Sequence, residues 1–199
     1  MTDNKIDLKY ISQMEKAINE TYPDIALLVR DVNLSLEIEN LYENGKIIRE
    51  KAFVDASYRV GGMVTSHRYI IFSNHMANLS RMGTEANWGL CVANRNSHFK
   101  VLGKIKSTDK TAIVLLHLPD DEKWKFFEAA KLNIRYNEKF EKFKDLTFSI
   151  ENRLFEEAKK EFEKMRLMPP FEELAKEDWL KRCEFPIGVS DDGEPFELE

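Results

Sequence analysis

The chain lacks most of the residues and patterns that would point to a common chemistry. Its 199 residues hold two cysteines, Cys91 and Cys183, far apart in sequence. Two cysteines cannot complete a structural zinc site without histidine help, and in a reducing compartment the default is a pair of free thiols. No apolar run approaches the roughly 18 residues of a membrane span. The opening MTDNKIDLKY has neither the basic start nor the apolar core of a signal peptide, so a cytoplasmic protein without membrane contact is expected. Also missing are an HExxH pair, paired CxxC motifs and a GxSxG elbow. Gly61 and Gly62 precede MVTSHRYIIF, which reads as strand, so they do not open the helix that a phosphate cradle needs. The expectation is no metal and no cofactor.

Apolar mass is sufficient for a core. Hydrophobic residues make up 43% and charged residues 33%, and a chain of this length is most simply one domain. No internal repeat or linker divides it. Charge is segregated along it. Residues 56–119 carry eight Lys or Arg against Glu85 and Asp109, a net +6, whereas residues 1–55 carry −4 and residues 120–199 carry −7. All four histidines lie in the basic middle. The overall balance of −5 argues against duplex nucleic acid as a partner, because that affinity comes from Lys and Arg neutralising phosphates.

Hydrophobic spacing predicts a helix over 7–22, ended by Pro23. Val32, Leu34, Leu36 and Ile38 alternate with polar residues, which predicts a half-buried strand; Asn44-Gly45 then suits a tight hairpin turn, with 46–54 returning. Residues 25–30 fit a helical turn or a strand. The glycine pair at 61–62 suggests a bulge or the close approach of a backbone or ligand. Strands are predicted over 63–72 and 88–93, and a second hairpin over 98–106 and 111–118. No glycine or proline occurs from Asp120 to Met168, so this stretch should be helical, with a possible break before Ser149 as N-cap. A last helix over 171–183 precedes a tail too apolar to be free. The predicted fold is a single α+β domain with a mainly antiparallel central sheet, an N-terminal helix and C-terminal helices packed on one face. Its regions are 1–31 (helical), 32–118 (β-rich, basic) and 119–199 (helical arm and docked tail).

Candidate chemistry gathers in the middle. A metal or a general base calls for imidazole, and His67, His75 and His98 are available. His67 and His75 are eight residues apart, however, roughly 26 Å along a strand. Ser66, Ser73 or Cys91 could serve as a nucleophile beside a histidine, although a cysteine inside an apolar strand is usually a small hydrophobe. Arg, Trp, Tyr and His are the types enriched where proteins grip partners. The candidate binding set is therefore Tyr58, Arg59, His67, Arg68, His75, Arg81, Trp88, Asn94, Arg95, Asn96 and His98, with 94–98 a polar connector between strands. These residues favour a cytosolic, non-enzymatic binding protein whose central basic and aromatic loops engage a protein partner, an acidic macromolecule or an anionic small ligand. One alternative is a small enzyme using His67, His75 or His98 as acid or base, with Arg68 or Arg95 anchoring an anion. The other is an acidic, toxin-neutralising protein of the immunity type, acting through its arms. An enzyme should line one enclosed pocket with these side chains, and a binder should spread them over a flat patch.

Overall fold

A computed structural model describes residues 25–80, 87–119 and 138–189, with the backbone alone for 138–149. The helix expected over 7–22, Arg81 and residues 190–199 lie outside the described residues. Within them, β1 (Ala26–Val32), α1 (Leu36–Leu41), β2 (Ile47–Glu50), β3 (Val54–Ser57), β4 (His67–Ser73), β5 (Ala77–Asn78), β6 (Leu90–Ala93), β7 (Ser97–Lys106) and β8 (Thr111–His117) come first. Then follow α2 (Glu138–Leu167), a short 3-10 turn (Glu172–Ala175) and α3 (Glu177–Arg182). The eight strands form one mixed sheet in the order β2-β7-β8-β4-β1-β3-β6-β5. Neighbours run antiparallel except β4 and β8, which are parallel.

Both faces of the sheet are buried, and each has its own cover. On one face Val29, Ile70, Phe72, Val114 and Leu116 meet Leu154, Ala158, Phe162 and Met165 of α2, with Leu174, Trp179 and Cys183 beyond them. The α2 residues recur at spacings of three and four, which sets one helical stripe on the sheet. Opposite them, Leu28, Tyr69, Ile71, Phe99, Val101 and Leu115 are covered by Leu34, Ile38, Tyr42 and Ile187.

Three local expectations are corrected. The alternating stretch after Val32 is not a strand: Ser35 caps α1, its Oγ accepting the Ile38 N–H. Leu34 and Ile38 then turn inward one helical turn apart, while Leu36 is 67% exposed. Gly45, at φ 81°, turns the chain from α1 into β2 rather than through a hairpin. The predicted break before Ser149 is also absent, since α2 runs unbroken through it. The close approach at the glycine pair is to backbone. A Cβ on Gly62 would lie 2.2 Å from the Met168 carbonyl oxygen, and the Gly62 N–H donates to Pro169 O at 2.9 Å.

After α3 the chain crosses to the other face, where residues 185–189 form a strap over β1, β2 and β4. Two buried phenols hold it. Ile187 N–H donates to Tyr69 Oη at 3.2 Å, and Tyr42 Oη donates to Ile187 O at 2.7 Å. Because the Tyr42 hydrogen is committed to that carbonyl, Tyr69 must be the donor in the 2.5 Å contact between the two hydroxyls. Burial pushes the Tyr69 phenol up to about 12, against the pull of its bonds with Tyr42 and Ile187, and raises Tyr42 well above the usual value of 10.

Two outcomes follow. Gly62→Ala should lower the urea midpoint by an amount equivalent to about 2 kcal/mol or more, because backbone rather than a yielding side chain meets the new methyl. Both phenols have folded-state pKa values above their unfolded ones, so the stability they contribute is present below pH about 10 and lost as pH rises towards about 12. Denaturation series across that window should show stability falling, with a shallower fall in a Tyr42→Phe, Tyr69→Phe double variant.

Candidate functional site

β1 carries a charged pair, Arg30-Asp31, in an otherwise apolar run. Side chains alternate along a strand, so the two residues face opposite sides and meet different fates. Asp31 points to the helical face. There Arg68, directly across in β4, donates Nε to Oδ1 at 2.5 Å and Nη2 to Oδ2 at 2.8 Å. Two further Arg68 donors, on Nη1 and Nη2, go to the carbonyls of Gly61 and Gly62, and Val64 N–H reaches Asp31 Oδ2.

Arg30 points to the strap. It is 5% exposed, and its Nη1 and Nη2 donate to the carbonyls of Asp55 (3.2 Å) and Phe185 (2.7 Å). Its Nε has no partner, and no carboxylate pairs with it among the described residues. Arg30 lines a cleft of about 500 Å³ between α1, the β2–β3 connection and the strap. Phe53 and Phe185 stand at this cleft, 59% and 69% exposed. Arg182 also lines it and donates Nε to Asp55 Oδ2 at 2.5 Å. Glu50 is committed to backbone, Oε1 accepting Ala52 N–H and Oε2 accepting Gly188 N–H. The cleft thus combines apolar walls, two exposed rings, the Glu50 carboxylate held by backbone N–H groups, and one buried cation that makes no ion pair among the described residues.

Those of the residues predicted from sequence that are described lie in several separate places. His67 and Arg68 are neighbours on β4 and face opposite sides of the sheet. Arg68 is 1% exposed and makes four hydrogen bonds to Asp31 and two carbonyls, so it is turned to the interior rather than to a ligand. His67 contacts Ser66 and Glu39. His75 stacks on buried His117 at 3.9 Å and reaches Leu118 O. Tyr58, Arg59 and Trp88 lie where β3 and β6 meet the C-terminal elements; Arg59 sits over the Phe171 ring and Trp88 beside Trp179. Asn94, Arg95 and Asn96 form the exposed β6–β7 connection, Asn96 with φ 63°, and His98 sits opposite Arg49 in the next ladder. Cys91 and Cys183 are buried free thiols whose pKa values burial raises, to about 12 for Cys183, which disfavours the thiolate. Among the described residues no cluster of three or more His, Cys, Asp or Glu could hold a metal, and no helix could cross a membrane.

Sequence reasoning missed Arg30, Phe53, Phe185 and Arg182, which come together from three distant stretches. One signal was present: a charged residue inside the apolar run of a strand needs a reason to be there.

No family model and no curated protein matches the chain. Among solved structures, it is similar to the type III effector XopAI of Xanthomonas axonopodis pv. citri (12% identity, 48% of this chain and 45% of that one, TM-score 0.43). It is also similar to the ADP-ribosyltransferase HopU1 of Pseudomonas syringae pv. tomato (17%, 48% and 45%, TM-score 0.43). A third is Exoenzyme S of Pseudomonas aeruginosa, solved with human 14-3-3 protein beta and carba-NAD (16%, 65% and 68%, TM-score 0.42). The chain spans less than half the length of the first two. At these values the likeness is one of partial fold. The expectation of a non-enzymatic binding protein with a basic central grip is corrected: the basic centre is in part spent on internal contacts and otherwise dispersed, and two of the solved neighbours, HopU1 and Vis, are named as ADP-ribosyltransferases.

Proposed function

We propose that this chain acts on a small anionic molecule carrying a flat ring, a nucleotide in the first instance, held in the cleft between α1, the β2–β3 connection and the strap. The observation that carries this reading is Arg30. A guanidinium removed from water is costly unless a counter-charge compensates it, and among the described residues Arg30 is met directly by two carbonyls, while the Glu50 carboxylate in the same cleft is bonded to backbone N–H groups instead. An anionic group in the cleft would provide the missing charge. The ring belongs with Phe53 and Phe185, because offset or edge-on aromatic contacts add about 0.5–1.5 kcal/mol beyond area burial. A volume of about 500 Å³ suits a small molecule, since ligand pockets run from roughly 300 to 1,000 Å³. Arg182 and Asp55 neutralise each other at the border, which leaves Arg30 as the cation that selects the ligand. Glu50 holds the strap and hence the position of Phe185.

The test is calorimetric titration of the protein with AMP, ADP and NAD. NAD is included because carba-NAD is bound in the Exoenzyme S structure. At least one nucleotide should bind. Arg30→Met should weaken it about 10- to 150-fold, the range expected for a hydrogen bond to a charged group worth about 1.5–3 kcal/mol. The unliganded variant should keep its melting temperature within a few degrees, because relief of charge burial offsets the two lost hydrogen bonds. Chromatography of the nucleotide after incubation distinguishes a consumed substrate from a retained ligand. No binding by any of the three, or equal binding by the variant, would sink the proposal.

A further inference from the structure

At the start of β4, away from the cleft, Ser66, His67 and Glu39 lie in line. Ser66 Oγ is 2.8 Å from His67 Nδ1, and His67 Nε2 is 3.2 Å from Glu39 Oε2. Burial would raise the Glu39 carboxyl, but hydrogen bonds from Lys106 and His67 and the charges of Lys106 and Lys104 outweigh it and hold the group below its usual range. Glu39 is therefore a carboxylate, and His67 must present a proton to it on Nε2. The Leu34 N–H donates to Nδ1 at 3.4 Å, so Nδ1 is the acceptor nitrogen. The tautomer follows from its neighbours: Nε2 carries hydrogen and Nδ1 the lone pair; the single Ser66 hydroxyl hydrogen has two acceptors in reach, Nδ1 at 2.8 Å and Asn33 Oδ1 at 3.1 Å, and the shorter contact is the one to Nδ1. His67 and Glu39 are buried while Ser66 is half-exposed, so the base is sheltered and the hydroxyl can be reached.

We infer that Ser66 is an activated nucleophile that accepts an acyl group from an ester, with His67 as its base and Glu39 as the positioning residue. In the first step Oγ bonds to the acyl carbon and its proton passes to His67 Nδ1. The bond to the leaving alcohol breaks, and the alcohol oxygen takes that proton. Water then attacks the acyl-serine and gives a proton to Nδ1, which returns it to Oγ as the carboxylic acid leaves. Lys106 Nζ lies 2.6 Å from Glu39 Oε1, and Lys110 Nζ donates to Thr65 O at 2.8 Å. These ammonium groups sit at Glu39 and at Thr65, the residue before the serine, and favour an ester that carries negative charge.

The probe is a fluorophosphonate, whose phosphorus takes the place of the acyl carbon and whose fluoride leaves. The intact protein should gain one adduct, which peptide mapping assigns to Ser66 and which Ser66→Ala abolishes. His67→Gln should slow labelling at least tenfold, and Glu39→Gln should slow it by a smaller factor. Circular dichroism establishes that each variant is folded. Should Glu39→Gln fail to fold, Ser66→Cys provides the second measure: its alkylation by iodoacetamide should be at least tenfold faster than that of Ser66→Cys, His67→Gln. Absence of an adduct at Ser66 in the wild type, or equal rates with and without His67, overturns the inference.

Discussion

The bidentate contact between Asp31 and Arg68 is the constraint on which the rest of the structure depends. It joins the paired residues of β1 and β4, the strands at the middle of the sheet. The same guanidinium binds the carbonyls of Gly61 and Gly62, where the chain leaving α2 passes close enough to exclude any side chain. One cation thereby ties sheet, connection and helix exit together. Its burial would be unfavourable without this full set of acceptors, and removal of either charged partner from such a pair costs about 3–5 kcal/mol.

Arg30 shows the reverse arrangement one residue earlier. It has the same strand, the same charge and almost the same burial, but carbonyl acceptors in place of a carboxylate. Among the described residues it makes no ion pair, and it lies at the wall of a cleft with two exposed phenylalanines. The phenol pair fixes the strap that supplies one of those rings, so the second core and the cleft share a common support.

Much of the fold was legible in the sequence because it rests on local periodicity. The β7–β8 hairpin was marked by two apolar runs about a polar turn, and the helix that carries Leu154, Ala158, Phe162 and Met165 by a long stretch free of glycine and proline. The segment after Val32 was not, because period-two alternation of four apolar residues is also compatible with a short capped helix, and Ser35 decides between them. The site was less legible. Arginine and histidine types are evident in a sequence, but whether Arg68 meets solvent or Asp31 depends on a pairing between strands 37 positions apart. Arg30, Phe53 and Phe185 share no stretch and no motif, and only the crossing of the chain after α3 brings them to one cleft.

Opposite charges at adjacent positions of β1 also act on mispaired states. In the native register Arg30 faces Tyr69 and Asp31 faces Arg68. A slip of one residue in one direction would set Arg30 against Arg68, two like charges across a ladder, and in the other would offer Arg68 the methyl groups of Val32. Either slip would also turn every apolar side chain of the strand to the wrong face. Two apolar faces of similar character, as β1 has, discriminate poorly between such alignments. The Arg30-Asp31 pair restores the discrimination, so that alternative pairings are rejected electrostatically during assembly.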